Sequence, residues 1–178
     1  EENGVERYMD VDMQSLTLVN EKGTEREVYQ CVFPDDKEEV ARFVDFHDRK
    51  TGEEYTLSDN GVIINEKTAK LLDVEVGDTI YIKDQEDGNK PVYIEHICEN
   101  YLGHYMYMTP AYYETVYGAM PENNTILFIM DDGADSSSED QLQAVGESLL
   151  KEDGVLNVSY MSDMEQQLDD MLRSLNLV

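Results

Sequence analysis

The chain has 178 residues, enough for one domain or two small lobes that share a core. Its 40 acidic side chains against 13 basic ones give a net charge of -27, which argues against a nucleic-acid partner and disfavours an anionic lipid surface. Hydrophobic residues make up 40%, mean hydropathy is -0.55, and no apolar run reaches the ~18–20 residues that a membrane span needs.

In chain order, residues 13–20 and 24–33 read as two strands around the turn Glu21-Lys22-Gly23. Pro34-Asp35-Asp36 starts a helix, with acids at the positive end of its dipole. Val40, Phe43 and Val44 form its stripe, although residues 43–46 fit a short strand equally well. Lys50-Thr51-Gly52 and Ser58-Asp59-Asn60-Gly61 are turns. Residues 62–64 are a β-branched run, and Asn65 can cap the helix that follows, because its side-chain oxygen can accept an orphan backbone N–H. Ala69 and Leu72 share a face of that helix; Gly77-Asp78 turns the chain, and Ile80 and Ile82 share a face of the next strand. Asp87-Gly88 is a hairpin signal, and residues 91–98 return as a strand.

Residues 101–108 alternate, with Tyr101, Gly103, Tyr105 and Tyr107 on one side. Thr109-Pro110 opens a helix with Pro at its first position, and Gly118 closes it. Residues 125–130 are an apolar strand. Ser138 with Gln141 makes a capping box for a helix striped by Leu142, Val145, Leu149 and Leu150. Residues 155–160 read as a further strand, and Ser162 with Glu165 caps a last helix striped by Met164, Leu168, Met171, Leu172 and Leu175. This last third has the order βαβα, two layers with helices on one face of a sheet.

No residue set carries a catalytic motif such as G-x-S-x-G or H-E-x-x-H. His96 and Cys98 are two apart on a strand and share a side, and His104 follows, but a fourth zinc ligand is not evident and ordinary strand positions are the plainer reading. Asp84, Glu86 and Asp87 before Gly88 miss the calcium-loop register, and Asp131, Asp132, Asp135 and Asp140 lack its spacing; both read as solvated loops. Cys31 and Cys98 fall in strands, where cysteine is ordinarily a small buried hydrophobe, and their spacing does not establish a bridge. Of 12 tyrosines, six fall between Tyr101 and Tyr117. Packing accounts for most of them; Tyr101, Tyr105, Tyr107 and Tyr113 are the candidate partner surface.

The stretch from Gly61 to Ile82, with Ala69, Leu72, Val74, Val76-Gly77-Asp78 and Ile80 at its fixed positions, closely resembles a segment of the extracytoplasmic domain of FtsX/MacB-type ABC-transporter permeases. The downstream order of elements agrees over roughly residues 57–178, about two-thirds of the chain. The resemblance implies an α+β fold: a porter-like βαβα lobe from residues 1–23 and 121–178, with helices on one face of a mixed sheet, and a smaller β-rich, sabre-like lobe from residues 24–120. It implies the extracellular domain of a permease subunit, without catalytic residues, cofactor or metal. That domain couples ATP hydrolysis by a separate cytoplasmic subunit to movement or to engagement of a substrate or protein partner outside the membrane. Both ends read as cuts in a longer, membrane-anchored chain, and the last helix is expected to be a lever toward a membrane span. The alternative is a free-standing extracellular module for peptide or glycan.

Overall fold

The computed structural model describes residues 5–100, 103–130 and 139–160. Its elements are β1 (Val5–Val19), β2 (Glu25–Val32), α1 (Lys37–Phe43), β3 (Val62–Asn65), α2 (Glu66–Leu72), β4 (Thr79–Ile82), β5 (Lys90–Cys98), β6 (Tyr105–Met108), α3 (Pro110–Tyr117), β7 (Thr125–Met130) and α4 (Glu139–Leu149). They divide into two compact units. The larger is Met9–Leu127; the other takes in residues 5–8 and the described residues from 128 on. Strand β1 beyond residue 8 belongs to the larger unit because its ladders do: residues 12–19 pair with β2, and Leu18 and Val19 pair with β4.

The expected hairpin is present. β1 and β2 run antiparallel from Asp12↔Val32 to Val19↔Glu25. Their turn is built by Asn20, whose Oδ1 accepts from the N–H groups of Lys22 (3.0 Å) and Thr24 (2.8 Å), while Gly23 takes φ +83°. β2 then lies parallel to β6, β6 antiparallel to β3, β3 parallel to β5, and β5 antiparallel to β4. Since β1 pairs with β4 as well as β2, these strands return to their starting point and form a closed mixed barrel. β7 follows β1 in the sheet order, and its residues to Leu127 belong to this unit.

Strand alternation sorts the apolar residues into two clusters. Every strand of the ring contributes to the first: Leu18, Val28, Val32, Val62, Ile64, Ile80, Ile82, Val92, Ile94, Met106 and Met108, joined by Ala69 and Leu72 of α2 and Tyr112 of α3. These fill the ring. The second cluster lies outside it, where Met9, Val11, Cys31, Phe33, Ile63, Cys98 and Tyr107 pack under Val40 of α1 with Phe46 and Leu57. Helices of the larger unit therefore serve both faces of the ring's wall, and the all-buried β3 is explained by it. The α+β class with a mixed sheet holds.

Three local expectations change. Asn65 stands at the N-cap of α2 but makes no side-chain cap bond, because its amide is engaged elsewhere. Of the described residues 103–108 of the alternating stretch, 105–108 form a strand; Gly103, at φ +68°, bends the chain before it. Residues 155–160 are irregular, with Leu156 95% exposed, since no ladder partner reaches them among the described residues. Ser138 and the last helix, with its lever role, lie outside the described residues.

Candidate functional site

Among the described residues, one feature with the geometry of a binding site is a cleft of about 420 Å³ on the outer side of the barrel wall, between α1 and residues 54–57. Local chemistry explains each wall. Asp36 caps α1 by accepting from the Glu39 N–H at 3.0 Å, which turns Val40 inward. After α1 the chain is extended at Val44, where φ is -138°. Residues 46–55 then double back as a small hairpin, with Tyr55 N–H donating to Phe46 O at 2.7 Å and Asp48 N–H to Glu53 O at 2.9 Å. The Asp48 carboxylate closes the turn by accepting from Thr51 N–H (2.7 Å), Lys50 N–H (2.8 Å) and Thr51 Oγ1 (3.0 Å). The Thr51 backbone bond does most to hold that carboxyl below its usual range.

Two contacts fix this hairpin to the barrel. His47 Nε2 lies 2.8 Å from Glu99 Oε2, and Glu99 N–H donates to His47 O at 2.8 Å. Nδ1 of the same ring lies 3.1 Å from Asp45 Oδ2, a charge contact rather than an aligned hydrogen bond. The Glu99 hydrogen bond, then Asp45, raise the imidazole's pKa above its ordinary value, against the opposing effect of burial. The second contact is a stack of Tyr55 on His96, with centroids 4.1 Å apart and planes within 10°. Beneath the hairpin, Phe46 meets Tyr107 edge-on at 5.0 Å and Phe33 at 6.4 Å. Val40, Phe46 and Leu57 make the apolar floor, and Asp35, Asp45 and Glu54 line the rim.

The tyrosine row divides. Tyr101 lies outside the described residues. Tyr107 is 5% exposed and belongs to the outer cluster; its hydroxyl accepts from Asn100 Nδ2 at 2.9 Å, so it presents no surface. Tyr105 is half-buried between Tyr107 (5.6 Å) and Tyr29 (5.7 Å), and Tyr29 is the member that reaches solvent, at 49% exposure. Tyr113 is half-buried on α3, stacked on Tyr117 at 4.3 Å, away from that row.

The metal-like trio is also dispersed in role. His96 supports Tyr55; Cys98 is buried in the outer cluster; His104 Nδ1 lies 3.3 Å from Thr68 Oγ1, and burial lowers its pKa. No group of three His, Cys, Asp or Glu among the described residues is placed to hold a metal ion. In the first acidic loop Asp84 is engaged by Lys90 Nζ at 3.0 Å and by the N–H groups of Glu86 and Asp87. Residues 131–138 of the second lie outside the described residues. Cys31 and Cys98 are both free thiols, and burial pushes each up to about 12. Cys31 faces Tyr107, Tyr107 faces Ile63, and β5 is the next strand, so the two cysteines lie three strands apart along the barrel wall.

Sequence reading missed the cleft. Its walls come from α1 and from a segment whose Phe43–Phe46 pattern left helix and strand open, and its hairpin depends on a His47–Glu99 contact far apart in sequence. The one local signal was Asp48 followed by Lys50-Thr51-Gly52, an Asx-type turn.

No family model matches the chain, and no curated protein matches it. Among solved structures it is similar to the extracellular domain of the noncanonic ABC-type transporter YknZ from Gram-positive bacteria, at 17% identity and a TM-score of 0.49, covering 80% of this chain and 71% of that one. It is also similar to the periplasmic region of MacB from Actinobacillus actinomycetemcomitans, at 10% identity and a TM-score of 0.46, covering 84% and 68%. No described helix is long and apolar enough to cross a membrane.

Proposed function

We propose that the chain is the extracytoplasmic domain of an FtsX/MacB-type ABC-transporter permease subunit. The observation that carries this reading is the stretch from Gly61 to Ile82. Its sequence resembles that family's segment, and it folds as strand β3, helix α2, a Gly77-Asp78 turn and strand β4, with Val62, Ile64, Ala69, Leu72, Ile80 and Ile82 filling the barrel. In this reading the domain is non-catalytic and needs no cofactor. It stands on the outer face of the cell membrane, joined to the membrane part of a longer chain. A separate ATP-binding subunit in the cytoplasm drives its movement, and it engages a substrate or protein partner outside.

The natural full-length protein tests this. Extracted from membranes with mild detergent, it should co-purify with an ATP-binding protein, and the pair should hydrolyse ATP. A natural protein found free in the medium, without such a partner, would favour the independent binding module.

A further inference from the structure

The cleft beside α1 combines an apolar floor with an acidic rim that has little basic charge of its own. Val40, Phe46 and Leu57 are buried side chains that nonetheless line it. At about 420 Å³ it falls in the lower part of the ~300–1,000 Å³ range of ligand pockets, room for one or two side chains rather than a large cofactor. Asp35 and Glu54 are exposed on its rim and make no ion pair among the described residues, and Asp45 meets only His47. Lys37 is the sole basic residue in the lining. Some acids of this unit do have a basic partner: Asp73 meets Lys22, Glu25 meets Lys83 and Asp84 meets Lys90.

We propose that this cleft is a docking site for a basic peptide segment, with an aliphatic side chain on its floor and a neighbouring Lys or Arg at the Asp35–Asp45–Glu54 rim. The chemistry is that of amphipathic side chains. A lysine or arginine stem lies along apolar surface while its charged head stays at the wet, acidic edge. The net charge of -27 adds long-range attraction for any cation and repels acidic peptides, which raises the encounter rate without choosing a site. The floor supplies the choice of site. This inference stands on the cleft alone and does not need the transporter reading.

The test uses the purified chain and an acetylated, amidated octapeptide of alternating leucine and lysine, followed by backbone amide shifts and fluorescence anisotropy at an ionic strength of about 0.15 M. Saturable binding is expected, with the perturbed amides in α1 and residues 44–57. Ala41→Trp fills the cleft from an exposed helix position and should weaken binding at least about tenfold, as should the double variant Asp35→Lys/Glu54→Lys. A glycine–lysine octapeptide of the same charge should bind at least about tenfold more weakly, since it leaves the floor empty. The proposal is overturned by any of four results: no saturable binding at about 1 mM peptide, amide shifts elsewhere on the barrel, equal binding of the glycine–lysine peptide, or an oligomer that Ala41→Trp dissociates. The last would make a second copy of the chain the occupant.

Discussion

Asn65 is a fully buried amide at the junction of β3 and α2, and every polar atom of its side chain is used. Its Oδ1 accepts from Tyr105 N–H at 3.1 Å and from the Thr68 hydroxyl; its Nδ2 donates to Gly103 O at 2.9 Å and Asn100 O at 3.2 Å. The residue thus joins the loop before β6 to the centre of the barrel. Replacing it with leucine, of similar size, removes the acceptor of the Tyr105 N–H and the donor to two carbonyls. At about 1–3 kcal/mol for a buried polar group left unpaired, and with the carbonyls partly rescued by water, the loss is about 3–5 kcal/mol. For a chain of this length that lowers the melting temperature by about 10 °C or more. Asn65→Asp sharpens the argument. A carboxylate keeps both acceptor bonds but sets a charge, out of water, against two carbonyl oxygens. Its folded pKa is therefore raised above the ordinary value of ~4. A raised acid pKa means the native state holds the proton longer, so stability falls as pH rises between the unfolded and folded values. Urea melts should show Asn65→Asp close to wild type at pH ~4 and progressively weaker toward pH ~7, while the deficit of Asn65→Leu stays nearly constant. An Asn65→Asp chain as stable as wild type at pH ~7 would refute the bracket.

Gly61 meets β5 so closely that an added Cβ would lie 2.8 Å from Tyr93 O and 2.9 Å from Glu95 Cβ; Gly61→Ala should cost about 1–3 kcal/mol in urea melts, against less than about 1 kcal/mol for a change at an open surface position. His47, whose pKa is raised by Glu99, contributes stability present in full below ~6.5 and lost as pH rises through its folded value. The stability gap between wild type and His47→Gln should therefore shrink from pH 6 to pH 9 (both approximate bounds of the titration), and a gap that widened would refute the sign. The thiols of Cys31 and Cys98, buried and pushed up to about 12, should resist a thiol-specific disulfide reagent in the native chain and react fully in denaturant. Among the described residues the buried Gln30 amide has one bond, from the Tyr117 hydroxyl, and no partner for Nε2, so Tyr117→Phe should destabilise by about 1–2 kcal/mol.

Elements whose determinants are local could be read before the structure was seen. The β1–β2 hairpin, Asp36 before α1, β3–α2–β4, the Asp87-Gly88 turn and Thr109-Pro110 before α3 each carry their cap, turn or alternation in a few adjacent residues. What stayed hidden was set by distant partners. Nothing near Leu18 and Val19 announces that they close the ring against Ile82 and Tyr81. Asn65 carries a cap's signature, yet its amide is claimed by residues 35–40 positions later. Tyr107 alternates with its neighbours like a surface residue, but α1 and Phe46 cover the outer face it points to. Residues 155–160 have a strand's composition, and composition supplies no edge to pair with.

The central claim is that this domain stands outside the cell membrane, and the native cysteines make it directly measurable. Both are buried, so an impermeant maleimide has no target on the folded wild-type domain. Asp87, its side chain 81% exposed in the β4–β5 turn, is a position where a cysteine can be reached. In intact cells making the natural full-length protein with Asp87→Cys, the account predicts labelling of this domain before lysis and none of this domain in the parent. Labelling of the variant only after lysis would contradict it.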